Sequence, residues 1–195
     1  GNIMEEQIKI IQAMLEKTRR NFADNGTHFI MWGWLILSAC VSQYIFVFFN
    51  QSEWIGIMWI AIMMSGGILS TITGIRQDRK KGAVTFADQA IGSLWLACGL
   101  SMSLIAFLGV PMGIISMKAL NPIIMMNIWI GVLVTGRILD WKPLQWSALL
   151  WFAGAIVCMM IHWHYHSLVM AILIIPGYII PGYILRNKFQ SSPNA

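Results

Sequence analysis

Three histidines alternate with aromatic residues in the run His162-Trp163-His164-Tyr165-His166. Imidazole nitrogens ligate zinc, copper or nickel, and three of them fill a tetrahedral site while leaving one position open. Spacing limits the idea. On a helix His162 and His166 share a face while His164 points away, so the three converge only where the stretch is extended or turns. The alternative is an aromatic and imidazole belt at the headgroup level, where Trp and Tyr collect. No cofactor is expected, with zinc or copper at His162, His164 and His166 as the alternative.

A second chemical feature follows a few residues later, in Pro176-Gly177-Tyr178-Ile179 and Pro181-Gly182-Tyr183-Ile184. Each proline removes a helical hydrogen bond, which frees the carbonyls of Ile172 and Gly177. Inside hydrocarbon a freed carbonyl must find water, a side chain or a ligand. Pro176, Gly177, Pro181 and Gly182 are therefore candidate ligand or gate residues, with Asn127 as a polar group within an apolar run; a packing kink is the alternative reading. Asn127 and Gln43 suit hydrogen bonds between helices. Cys40, Cys98 and Cys158 are spaced by 58 and 60 residues. They read either as a trigonal thiolate site for a soft cation or as small buried hydrophobes.

The elements that hold these groups follow from composition. The 195 residues are 57% hydrophobic and 11% charged, and mean hydropathy is +0.67. Soluble domains carry roughly a quarter charged residues, so the chain reads as an integral membrane protein. Six apolar runs are drawn, at Phe29 to Phe49, Trp54 to Ile75, Ala90 to Gly109, Pro122 to Gly136, Leu144 to Ile161 and Leu168 to Leu185. At about 1.5 Å per residue, a run of about 20 residues crosses the roughly 30 Å of hydrocarbon. Pro111 and Pro122 bracket Met112 to Asn121, which either forms an interfacial helix or extends the fourth span with Lys118 snorkelling. Gly66, Ser70 and Gly74 recur at four-residue spacing, a pattern that lets helices approach closely.

Twelve of the 13 Lys and Arg side chains fall on one side when both termini are placed in the cytoplasm, and only Lys118 falls outside. The net charge of +5 is thus explained by topology and headgroups, with no nucleic-acid partner needed. The first 28 residues lack a continuous apolar stretch, so a cleavable signal peptide is not expected. They predict a helix instead. Met4, Ile8, Ile11, Leu15, Thr18 and Phe22 form one stripe, with Glu5 and Glu6 in the first turn and Arg19 and Arg20 in the last. Four acids balance four bases over residues 1–28. The stripe could face the membrane surface, another protein or its own copy in a coiled coil; a lipid-bound helix favours a more basic face, so Met4, Ile8, Ile11, Leu15 and Phe22 are read first as contacts for a protein partner.

Phe22-Ala23-Asp24-Asn25 is echoed by Phe86-Ala87-Asp88-Gln89, which together with the cysteine spacing suggests three helical hairpins. No Asp or Glu stands mid-span, as proton-coupled carriers require. The chain also lacks G-x-S-x-G, H-E-x-x-H, C-x-x-C and P-loop motifs.

Three resemblances add to this reading. His28-Phe29-Ile30-Met31-Trp32-Gly33-Trp34-Leu35, following an amphipathic helix, resembles the start of a group of small uncharacterised bacterial inner-membrane proteins, which implies that location and no activity. Six helices, both ends inside and the chain length resemble the S-component of energy-coupling factor transporters. That family's helix-one Ala-x-x-x-Ala is replaced here by Ser38-Ala39-Cys40-Val41-Ser42. Gly99-Leu100-Ser101-Met102 is similar to the Gly-x-Ser of rhomboid proteases, although it lies in helix three where that family uses helix four.

The expectation is an all-α bundle in the bacterial inner membrane, with six transmembrane helices and both termini inside. Residues 1–28 form a cytoplasmic or interfacial helix, 29–186 the transmembrane domain and 187–195 a cytoplasmic tail. Its function is expected to be non-enzymatic, through binding of a cytoplasmic or membrane protein partner or of further copies of itself. The alternative is a solute or metal transport or binding component built on helix six and the outer histidines.

Overall fold

Long apolar segments must satisfy their backbone polar groups internally, and a helix does so within one segment. A computed structural model describes residues 2–24, 26–78 and 84–190, with side chains described except at positions 2, 19–24, 77–78 and 188–190. Within these the chain is helical and has no strand. Helix α1 spans Asn2–Asp24, α2 Gly26–Phe48, α3 Glu53–Asp78, α4 Phe86–Leu104, α5 Met117–Ile138 and α6 Lys142–Met160. A 3₁₀ turn, Trp163–Tyr165, leads into α7 (His166–Ile174), a π turn (Ile175–Ile179) and α8 (Ile180–Gln190). Six segments are long and apolar enough to cross a membrane: Gly26–Phe48, Glu53–Arg76, Phe86–Gly109, Met117–Ile138, Lys142–Met160 and Trp163–Asn187.

Local chemistry sets the ends. Thr85 caps α4 through a reciprocal box, its hydroxyl accepting from the Asp88 N–H at 3.1 Å while its own N–H donates to Asp88 Oδ2 at 2.9 Å. Asn50 and Asp140 turn the chain at positive φ between α2 and α3 and between α5 and α6. Gly113, at φ +72°, does so between α4 and α5, where a side chain would be strained.

Two boundaries differ from the sequence expectation. The first span begins at Gly26, so the division at residue 28 falls inside α2. Pro122 does not start the fourth span but lies within α5, which Ser116 opens by accepting from the Ala119 N–H at 3.3 Å. Near a helix start a proline forfeits only one bond, so Met112 to Asn121 divides into a turn and the first residues of α5. The tetrapeptide echo is not structural: Phe22 to Asp24 closes α1, whereas Phe86 opens α4.

The centre is built from α5, α6, the sixth span and α2. Met125, Val132, Ala148, Trp151, Ala155 and Ile174 are all buried there. Half of the sixth span is buried, against 6% of the second, so α3 stands at the periphery with most of its apolar surface outward. Gly66 is the packing point of the spaced small residues. It lies under the Trp32 ring, and Ser70 accepts from Trp32 Nε1 at 2.7 Å, whereas Gly74 meets nothing.

Candidate functional sites

The π turn places Gly177 against α6, where an added Cβ would stand 2.8 Å from Trp151 Nε1. Only a glycine permits this approach. The Gly177 carbonyl, freed by Pro181, accepts from Ser147 Oγ at 2.7 Å and from Trp151 Nε1 at 3.1 Å. Ser147 and Trp151 lie one turn apart on α6 and are buried. The carbonyl is therefore satisfied by the protein. Pro181 and Gly182 are buried too, Gly182 close to Phe29 and Ile30 of α2, while Pro176 is exposed. Tyr178, in the same turn, stacks on Phe29 at 4.1 Å and meets Trp95 edge-on at 6.3 Å.

Asn127 is likewise engaged within the protein. Its Oδ1 accepts from Ser101 Oγ of α4 at 2.6 Å, and its Nδ2 donates to the Ile123 carbonyl at 3.0 Å. Gln43 accepts from Trp59 Nε1 at 2.7 Å, tying α2 to α3. Trp95 Nε1 donates to Thr135 Oγ1 at 3.0 Å, tying α4 to α5. The sequence reading assigns no role to Trp59, Trp95 or Trp151 and misses these bonds. In apolar surroundings an indole N–H needs an acceptor, and Trp59, Trp95 and Trp151, lying well inside apolar runs, were the available signal.

The three histidines do not converge. His162 is extended, its Nδ1 facing the His164 N–H at 3.4 Å, and the two exposed rings lie with centroids 4.4 Å apart. His166 opens α7 and turns inward to 1% exposure. Among the described residues no three His, Cys, Asp or Glu side chains are gathered to hold a metal, which also applies to Cys40, Cys98 and Cys158. The Cys98 thiol faces the Asn127 carbonyl at 3.7 Å and the Cys158 thiol faces Met125 Sδ at 3.8 Å.

A different grouping is present at the end of the bundle that carries the α6–α7 turn. A cleft of about 480 Å³ lies between the start of α5 and the α6–α7 turn, lined by Lys118, Pro122, Ile123, Met159, His162 and His166 among others. Both ring nitrogens of His166 are buried, and neither has a hydrogen-bond partner among the described residues.

On α1, Ile3, Met4, Ile8, Ile10, Ile11 and Met14 are exposed, with Met4 at 71% and Ile11 at 64%, and Leu15 is half-buried. The Phe22 side chain lies outside the described residues. The helix is fixed near its C-terminal end: Thr18 is fully buried, and its hydroxyl is 2.6 Å from that of Thr85. Comparisons with protein families, with curated proteins and with solved structures found no match for the chain, so its resemblances rest on the residues quoted for them.

Proposed function

We propose that the chain is a non-enzymatic protein of the bacterial inner membrane that binds a protein partner through its N-terminal helix, on the cytoplasmic side. The observation that carries this reading is the exposure of Met4, Ile8 and Ile11 on a helix whose far end is held by Thr18. An apolar face left outward on a docked element marks an interaction surface. The even balance of acids and bases over residues 1–28 favours a protein over anionic lipid as its cover. The internal engagement of Ser101 by Asn127 supports the non-enzymatic reading. The pair Ile8→Glu and Ile11→Glu tests it: partner retention in native membranes should fall while the bundle stays folded, and undiminished retention would refute the proposal.

A second reading, a solute-binding or transport component, is favoured at one place, the cleft beside His166. It gains nothing from the sixth span, where the Gly177 carbonyl is already engaged.

A further inference from the structure

The stripe that begins at Met4 runs into Thr18, which rests on Thr85, so its C-terminal end is already seated on the bundle. A second apolar line is left open beside it. Ile3, Ile10 and Met14, each more than half exposed, recur at spacings of seven and four and so share an edge of α1 outside that stripe. The line continues to Lys17, which is exposed, rather than onto the bundle. Glu6, Ala13 and Arg20 flank it at seven-residue spacing, and Glu6 and Ala13 are exposed as well. Charge is graded along the helix: residues 1–15 hold two acids and one base, residues 16–24 three bases and two acids. A cover for this edge must therefore present bases to the first half of α1 and acids to the second. The same helix running the opposite way does so, whereas a parallel copy gathers acids at one end and bases at the other.

We propose that a second copy of this chain covers this edge, α1 pairing antiparallel with its counterpart about a two-fold axis near Gln12. By register, Ile10 of each copy then stands opposite Met14 of the other, Ala13 meets Ala13 beside them, and Glu6 comes level with Arg20 at both ends. Thr18 keeps its place on Thr85. A two-fold axis along the membrane normal gives both copies the same insertion direction and reverses helices that lie along the surface, so the antiparallel order suits two chains in one membrane. The inference rests on the reading of α1 as a protein contact and names the protein on one of its edges.

The test uses the full chain in native membranes. Cys40, Cys98 and Cys158 are buried, which leaves a cysteine introduced on α1 as the thiol open to cross-linking. Under copper phenanthroline, Ala13→Cys should give a disulfide-linked species of twice the chain's 22.0 kDa. Ile3→Cys should give none, because the antiparallel order sets the two copies of residue 3 at opposite ends. Glu6→Lys or Arg20→Glu in the Ala13→Cys chain should each lower the yield about fivefold, two symmetry-related pairs having turned repulsive. Combined in one chain, the two changes restore opposite charges across the pair and should recover the yield, although each opposes the dipole of α1 and a loss through fraying would only deepen. No cross-link at Ala13, an equal one at Ile3, or a double variant no better than the single ones would overturn the proposal. A photo-reactive phenylalanine analogue at Ile10 separates the two failures. Capture of a different protein there overturns the second copy and leaves the protein-contact reading standing, while lipid alone at Ile8, Ile10 and Ile11 overturns both.

Discussion

The Gly177 carbonyl offers a quantitative test of how the broken sixth span is stabilised. Pro181 removes its helical donor, and Ser147 and Trp151 replace it at 2.7 and 3.1 Å. Removing one donor leaves the other, so Ser147→Ala should cost about 0.6–1.7 kcal/mol, the range for hydrogen bonds between membrane helices. Trp151→Phe loses the same bond plus the packing of part of a fully buried ring. The double variant leaves the carbonyl with no donor in apolar surroundings, a penalty of about 1–3 kcal/mol. The two changes together should therefore exceed their sum by about 1–2 kcal/mol. Ser147 and Trp151 are neighbours on one helix and could couple by other routes, so the control is the same cycle on Pro181→Ala. There residue 181 regains an N–H for Gly177, and the excess should vanish. Unfolding in sodium dodecyl sulfate, followed by circular dichroism, supplies the energies. Additive losses in the Pro181 protein, or an equal excess in both backgrounds, would refute the account.

Three further outcomes follow from the same structure. Gly177→Ala drives a Cβ to 2.8 Å from Trp151 Nε1 and should destabilise by about 1–3 kcal/mol in the same assay; an unaffected protein would show that the approach is not tight. His166→Phe removes two buried unpartnered nitrogens and should raise ligand-free stability by about 1–3 kcal/mol, whereas a loss would mean that the imidazole has a partner in the fold. Thr85→Ala removes both the α4 cap and the Thr18 contact; it should cost about 1 kcal/mol and speed amide exchange in the second half of α1, and unchanged exchange there would show that Thr18 does not fix the helix.

The spans were legible because bilayer thickness fixes a length that apolar runs report directly. Segment ends are less so: the sequence leaves residues 112–121 open between an interfacial helix and an extension of the fourth span, and the Ser116 cap, which starts that extension at Met117, is not marked by the apolar run. The freed carbonyl of Gly177 could be named from Pro181, yet its donors lie 30 and 26 residues away on α6, and no local pattern specifies which helix faces it. Of the candidate site residues, His162 and His166 line one cleft, but with Lys118 rather than with His164. The 3₁₀ turn at Trp163–Tyr165 rotates His166 inward, a register set by tertiary packing and absent from the alternation of the motif.

The central claim is that the exposed face of α1 is covered by protein. The most direct measurement places a photo-reactive phenylalanine analogue at Ile8 or Ile11 in the full chain and irradiates native membranes. The account predicts a discrete protein adduct from both positions, abolished by Met4→Glu on the same stripe. Adducts to lipid alone, with no protein adduct at either position, would contradict it.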